Sequence, residues 1–308
     1  MQTSPLPLGM QVFERGWLSS NNILFTSDAQ TALIDSGYVT HSAQTLALVD
    51  AAVGNRPLDM LFNTHLHSDH CGGNAALQGR YPLLQTQIPP GDADIARRWD
   101  EEALSFRPTG QQCPRFKIDG VLMPGTSRLL GNCDWEVLAA PGHDPHSVIL
   151  FEPQTRTLIS ADALWERGFG VVFPELIGEP SFDEVAHTLD LIESLQARRV
   201  IPGHGRPFTE VNASIATARR RLDDLSAHPA KHARHAFKVL IKFKLMDTRV
   251  MVRADWEQWC VSTPYLQQIC GRFFPDMDVL KMGLELLLEL QHADLAAIES
   301  ELISDQNG

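Results

Sequence analysis

No stretch of the 308 residues approaches the roughly 20 consecutive apolar residues that a membrane-spanning helix needs. Paired cysteines are missing as well. The five present (Cys71, Cys113, Cys133, Cys260, Cys270) are odd in number and have no paired spacing. That excludes a disulfide-stapled fold and points to a reducing compartment. Met1 to Gly9 lacks the charged-then-apolar build of an export signal, so the expected location is the cytoplasm. Positive charge is scarce: 26 Lys and Arg face 38 Asp and Glu, for a net charge of -12. A general nucleic-acid binder is therefore disfavoured, because neutralising phosphates takes basic surface. Internal repeats and low-complexity linkers are absent too. What remains is ordinary globular composition, 44% hydrophobic and 21% charged, in a chain long enough for one large domain and an appendage.

Against this background His65-Leu66-His67-Ser68-Asp69-His70 stands out. Four metal-ligating side chains fall within one short segment, directly after the apolar run Leu58-Asp59-Met60-Leu61-Phe62. Such a cluster is costly to desolvate, and a bound cation is the simplest compensation. On a tight turn leaving a strand, His65 and His67 can point one way while Asp69 and His70 point another, which suits two adjacent metals better than one. Three further ligand-type residues occupy equivalent places. His143 lies in Ala140-Pro141-Gly142-His143-Asp144, Asp162 follows Thr157-Leu158-Ile159-Ser160-Ala161, and His204 lies in Ile201-Pro202-Gly203-His204-Gly205. Each follows a strand-like run where Gly or Pro lets the backbone bend. Ligands delivered from strand ends converge at one edge of a sheet.

With these residues in place the sequence resembles the metallo-β-lactamase-fold superfamily of metallohydrolases, and among them the glyoxalase II and lactonase-like members. The likeness covers roughly residues 10 to 210. It includes the early strand and turn Ala32-Leu33-Ile34-Asp35-Ser36-Gly37. Two departures are small: Asp144 stands where the family often has Thr, and Ser160-Ala161-Asp162 replaces a more usual Gly-Asp. The resemblance implies that His65, His67 and His143 hold one metal. Asp69, His70 and His204 hold the second, and Asp162 bridges them. It further implies two divalent ions, zinc foremost, with iron or manganese as alternatives.

Two such ions, about 3.5–4 Å apart, present a bridging hydroxide to an electrophilic centre, with Asp69 and Asp162 as the catalytic carboxylates. The expected activity is hydrolysis of a carboxylic ester-type bond, a thioester or lactone. Asp35 is a candidate for the carboxylate that orients a ligand imidazole, and it equally suits a turn ahead of Gly37. Trp165, Phe169 and Phe173, close after Asp162, are candidates for the wall of an apolar acyl pocket, with packing under a long loop as their other reading. Cys71, directly after His70, reads first as packing behind the metal loop, with a metal ligand or reactive thiol as its other reading. Nine basic residues between Arg219 and Arg249 stand against three Asp. They suit either the anionic tail of a small-molecule substrate or a solvated helix face.

Other activities of the family are a phosphodiesterase or nuclease, and a mononuclear non-haem iron persulfide dioxygenase. The acidic body of the chain opposes the former, and the complete ligand set opposes the latter. A retired scaffold serving only as an interaction protein would have lost ligands, and none is lost.

The expected fold class is α/β, a four-layer αβ/βα sandwich with a mainly helical C-terminal domain. Residues 1–210 form the metal-binding domain, and 211–308 form the helical one, loosely winged-helix-like. Strands are expected at Gln11–Phe13, Asn22–Phe25 and Thr31–Ile34, and a helix from His41 to Ala52 stopped by Gly54. Residues 85 to 125 read as an insertion around a helical patch, Asp92 to Leu104, that overhangs the site. Ser181-Phe182-Asp183-Glu184 has the form of a capping box opening a helix to Ala197. Asp276 to Leu302 reads as helix throughout. Its stripe of Leu280, Leu284, Leu287, Leu288 and Leu295 is core or interface, which leaves a homo-oligomer open.

Overall fold

Alternation along the N-terminal strands sorts their side chains to two faces. A computed structural model describes residues 6–306; the export-signal reading rests partly on residues 1–5, outside that range. The first sheet runs in the order β1 (Met10–Phe13), β2 (Asn22–Thr26), β3 (Thr31–Ile34), β4 (Met60–Phe62), β5 (Gln85–Ile88), β6 (Gly120–Val121). β1 to β3 pair antiparallel, and β3 to β6 parallel. The second sheet holds β7 (Ser127–Leu130), β8 (Cys133–Ala139), β9 (Val148–Glu152), β10 (Thr157–Ala161) and β11 (Arg199–Pro202), in the order β11-β10-β9-β8-β7. Ile23, Phe25, Ala32 and Ile34 of the first sheet meet Trp135, Val137, Leu150 and Ile159 of the second.

The intervening residues face outward onto helices. Leu24, Leu33 and Leu61 pack on Val49 and Val53 of α1 (Ser42–Val53) and on Leu77. The short α2 (Ser68–Cys71) carries two of the candidate ligands, and α3 (Asn74–Arg80) carries Leu77. On the other side, Ile149, Phe151, Leu158 and Val200 pack under two helices spanning Phe182–Leu195 and Val211–Ala227. Helix, sheet, sheet, helix is the expected four-layer sandwich. Residues 85–125 are only partly an insertion, since they contribute β5 and β6 to the first sheet. Between these lie α4 (Ala93–Arg98) and α5 (Phe106–Thr109). The helical patch ends at Arg98 rather than Leu104 because Trp99 turns left-handed, with φ 61°.

α6 (Phe173–Ile177) precedes α7 (Phe182–Leu195), whose start differs from expectation. The Ser181 side chain makes no capping bond. Instead the Glu175 carboxylate accepts the backbone N–H of Ser181 and Phe182, at 2.8 and 3.0 Å. The C-terminal part is α8 (Val211–Ala227), α9 (Pro229–Thr248), α10 (Arg253–Ser262), α11 (Pro264–Phe273) and α12 (Val279–His292). It is mainly helical, as expected, and also contains a small antiparallel sheet whose strands the sequence did not reveal. β12 (Val250–Val252), β13 (Ala296–Glu299) and β14 (Leu302–Asp305) pair in the order β12-β14-β13. The Leu stripe is mostly core: Leu287 is buried with Leu286 and Leu290, and only Leu288 is exposed. Among the described residues no helix is long and apolar enough to cross a membrane.

Candidate metal centre

Four strands of the sandwich end at one edge, and each hands on a ligand-type side chain. β4 leads through Asn63 and Thr64 to His65, and the Thr64 carbonyl accepts the N–H of Val148, tying the two sheets together there (2.8 Å). Asp35, just past β3, is buried. Its Oδ1 accepts the Thr64 N–H at 2.9 Å, and its Oδ2 accepts the Thr64 hydroxyl and lies against His70 Nδ1, both at 2.8 Å. Asp35 thus lies where a carboxylate orienting the His70 imidazole would. After β8, Gly142 turns with φ 137°, where a Cβ would lie 2.6 Å from Val185. The turn swings His143 inward, and its Nδ1 donates to the Val171 carbonyl at 2.7 Å. Asp162 follows β10, and the Trp165 indole N–H donates to its Oδ1 at 3.1 Å. Gly203, before His204, packs so closely that a Cβ would lie 2.2 Å from that same Oδ1.

All seven sequence-identified side chains converge. The ligand atoms of His65, His67 and His143 lie within 4.8 Å of one another, as do those of Asp69, His70, Asp162 and His204. Asp162 Oδ2 sits between the groups, 3.4 Å from His143 Nε2 and 3.5 Å from His70 Nε2. His67 Nδ1 lies 3.1 Å from His65 Nε2 and 2.9 Å from His143 Nε2. With its proton on Nδ1, His143 aims a lone pair into the cluster. His70 Nε2 is buried with no hydrogen-bond partner, while Asp35 holds the opposite nitrogen. Converging lone pairs and an orphaned buried nitrogen are what a cation satisfies, so the donor set fits metal.

The electrostatics follow from burial and proximity. Burial, with the neighbouring histidines, holds His65 well below its ordinary pKa. His143 is lowered to about 4, by burial first and then by His67. Burial opposes ionisation of Asp162, but His70 and His204 override it and keep the carboxyl well below the usual range. Burial disfavours charge on His70, but the carboxylates of Asp162, Asp35 and Asp69 override it and hold its pKa well above the ordinary value. A bound cation would take the place of that proton, leaving neutral imidazoles beside ionised carboxylates, the ligating forms.

The centre opens into a cleft of about 760 Å³, a normal size for a small-molecule site. Trp165 and Phe173 line it as expected. Phe169 does not: it is 1% exposed and packs with the core beneath α7 and α8. Trp17 was not identified from sequence. It stacks on the His204 ring at 5.5 Å with planes 9° apart. Residues of the 85–125 segment, Ile95 and Leu104 among them, do overhang the cleft. Cys71 is fully buried with its Sγ 3.6 Å from Cys113 Sγ, outside the converging atoms. The basic run is largely neutralised by its own fold. Arg219 pairs with Asp190 and Glu193, Lys231 with Asp224, Arg234 and Lys238 with Glu289. Lys242 and Arg249 pair with Asp305, and Lys244 with Asp247.

The sequence model of the metallo-beta-lactamase superfamily matches residues 15–204. A hydroxyacylglutathione hydrolase of Brucella anthropi is 28% identical over 205 residues, covering 64% of this chain and 65% of that protein. Among solved structures, a beta-lactamase domain protein from Burkholderia ambifaria superposes with a TM-score of 0.58 at 21% identity, covering 97% of this chain and 92% of the other. A protein called TTHA1623, solved in a di-iron-bound form, superposes at 0.53 with 27% identity, covering 67% of this chain and 98% of the other. With the family's model matched across the residues that build the centre, the chain belongs to the metallo-beta-lactamase superfamily.

Proposed function

We propose that this chain is a metal-dependent hydrolase cleaving a carboxylic ester-type bond, a thioester or lactone. His65, His67 and His143 would hold one divalent ion, and Asp69, His70 and His204 a second, with Asp162 reaching both. The observation that carries this reading is the position of Asp162 Oδ2, within 3.5 Å of a histidine from each set. Zinc suits the histidine and carboxylate donors, with iron and manganese also compatible; the di-iron form of TTHA1623 keeps iron in view. When bound, such ions lower the pKa of coordinated water towards neutrality and polarise the carbonyl under attack.

The protein's own residues fix the rest. Asp35 sets the His70 ring and the Val171 carbonyl sets His143, so both present a lone pair to the centre. Trp165 holds Asp162 by Oδ1, leaving Oδ2 to face inward. Asp69 and Asp162 supply acceptors that orient the hydrogens of attacking water. Trp165 and Phe173 give the acyl group an apolar wall and keep bulk water out. The hydrolase name of the Brucella anthropi relative supports the same class. We place a domain boundary near residue 210. The winged-helix-like appendage beyond it closes the cleft with Phe243, Met246 and Tyr265. The nuclease reading is weakened by the carboxylates that neutralise most of the basic run. Five unpaired cysteines, four of them buried, fit the reducing cytoplasm.

The test is turnover of a panel of acyl thioesters and lactones by the protein as purified, after chelation, and in His67→Ala and Asp69→Ala. Chelation and either substitution should abolish hydrolysis, about 100-fold or more, with the circular dichroism spectrum retained. Wild-type rates in either variant, or indifference to chelation, would contradict the assignment.

A further inference from the structure

Of the nine basic side chains between Arg219 and Arg249, seven face a carboxylate within 4 Å. Arg220 is exposed and bonds to the Thr217 hydroxyl. Arg221 differs from the other eight. It lines the cleft, and among the described residues no carboxylate pairs with it. Its Nη2 lies 2.9 Å from His235 Nε2, and its guanidinium rests 5.5 Å from the centre of the Phe169 ring. An arginine can only donate, so His235 must accept. The imidazole is therefore neutral, and burial together with Arg221 holds its pKa down to about 4. A neutral acceptor orients the guanidinium without cancelling its charge. The aromatic face of Phe169 does the same from below.

The loop after Asp162 fixes this group relative to the metal centre. Gly168 packs on the Arg221 stem, where a Cβ would lie 2.9 Å from Cδ. Gly170 packs on the His143 ring, where a Cβ would lie 2.4 Å from Nδ1. Two residues span at most about 7 Å, so the cation and the centre share one wall of the cleft. On α9 the same cleft is lined by Val239, Leu240, Phe243 and Met246, with Lys242 among them held by Asp305.

We propose that Arg221, oriented by His235 and Phe169, is the anchor for an anionic oxygen group, carboxylate or phosphate, on a substrate whose other arm is apolar. This rests on the hydrolase reading and narrows its substrate class. The planar fork suits two oxygens of such a group, and the apolar side chains that α9 adds to the cleft suit the other arm. The anchor positions the substrate and takes no part in bond cleavage.

The test is binding by calorimetry to the full chain stripped of metal, so that anion capture by the metals plays no part. The probes are 3-(hexylthio)propanoate, its methyl ester, and 2-(hexylthio)ethyl phosphate; with the metals removed, the ester is not turned over during the titration. The carboxylate or the phosphate should bind wild type about 10- to 100-fold more tightly than Arg221→Gln, with Arg221→Lys intermediate. The methyl ester should bind all three proteins alike. The tighter of the two acids identifies the preferred head group. Equal binding of the acids by wild type and Arg221→Gln, or no binding by wild type, would overturn the anchor. Native circular dichroism of both variants guards against loss of fold. The hydrolase reading fails separately, if the anchor discriminates as described while the metal-loaded protein leaves hexanoyl thioesters intact.

Discussion

Asp35 adopts φ 57°, a conformation that Asp and Asn tolerate better than most residues, and its carboxylate is fully engaged by Thr64 and His70. Asp35→Asn keeps the backbone and removes the charge facing His70 Nδ1. Metal affinity should fall about 10- to 100-fold without loss of fold, read by competition with a chromophoric chelator; unchanged affinity would show that His70 is oriented by other means. The centre itself was legible because strand-like runs each ended in a ligand-type residue beside Gly or Pro. Gly142 and Gly203 show why, since a Cβ at either would strike Val185 or Asp162. Trp17 was not legible, because its stacking on His204 depends on how the loop between β1 and β2 folds over a distant turn. Phe169 looked like pocket wall for its proximity to Asp162, yet it faces the layer beneath α8 and serves Arg221 instead.

At the scale of elements, long amphipathic helices and alternating strands were readable, and short or capped pieces were not. Val250-Met251-Val252 is too brief for a period-two signal, and β13 was absorbed into the apolar pattern of α12. The start of α7 is the sharper case. Ser181 has φ -97° and ψ -11°, near-helical rather than the extended backbone of a usual N-cap, so its hydroxyl gives way to Glu175 from the preceding helix. Glu175→Ala should therefore destabilise the protein by about 1–2 kcal/mol in urea unfolding, and Ser181→Ala by less. The reverse order would restore the capping box that the motif suggested.

Across the whole molecule, three apolar clusters join the C-terminal part to the sandwich: Val171 and Leu176 pack with Phe237, Leu240 and Leu266, Val185 and Leu189 with Ile215 and Leu222, and Leu18 and Tyr38 with Phe243 and Met246. His232 of α9 lies at this junction, 1% exposed, with its ring 5.1 Å from Phe182 of α7. Burial, with His235 and Arg221, lowers its pKa from 6.5 to about 4. Between those values the unfolded chain binds a proton that the folded one does not, so stability is full above pH 6.5 and falls as pH drops towards 4. Thermal melts of wild type should lose Tm across that window, and His232→Leu should lose less. An identical pH slope for both proteins would remove His232 from the account.

The two-metal centre is the claim on which the proposed chemistry depends. Its most direct test is metal content per chain, by elemental analysis of protein purified without added metal or chelator. The arrangement of His65, His67 and His143 beside Asp69, His70 and His204, with Asp162 between, predicts two equivalents of divalent metal. It also predicts a fall to one or fewer in Asp162→Ala. A single equivalent in wild type, unmoved by replacing Asp162, would contradict it.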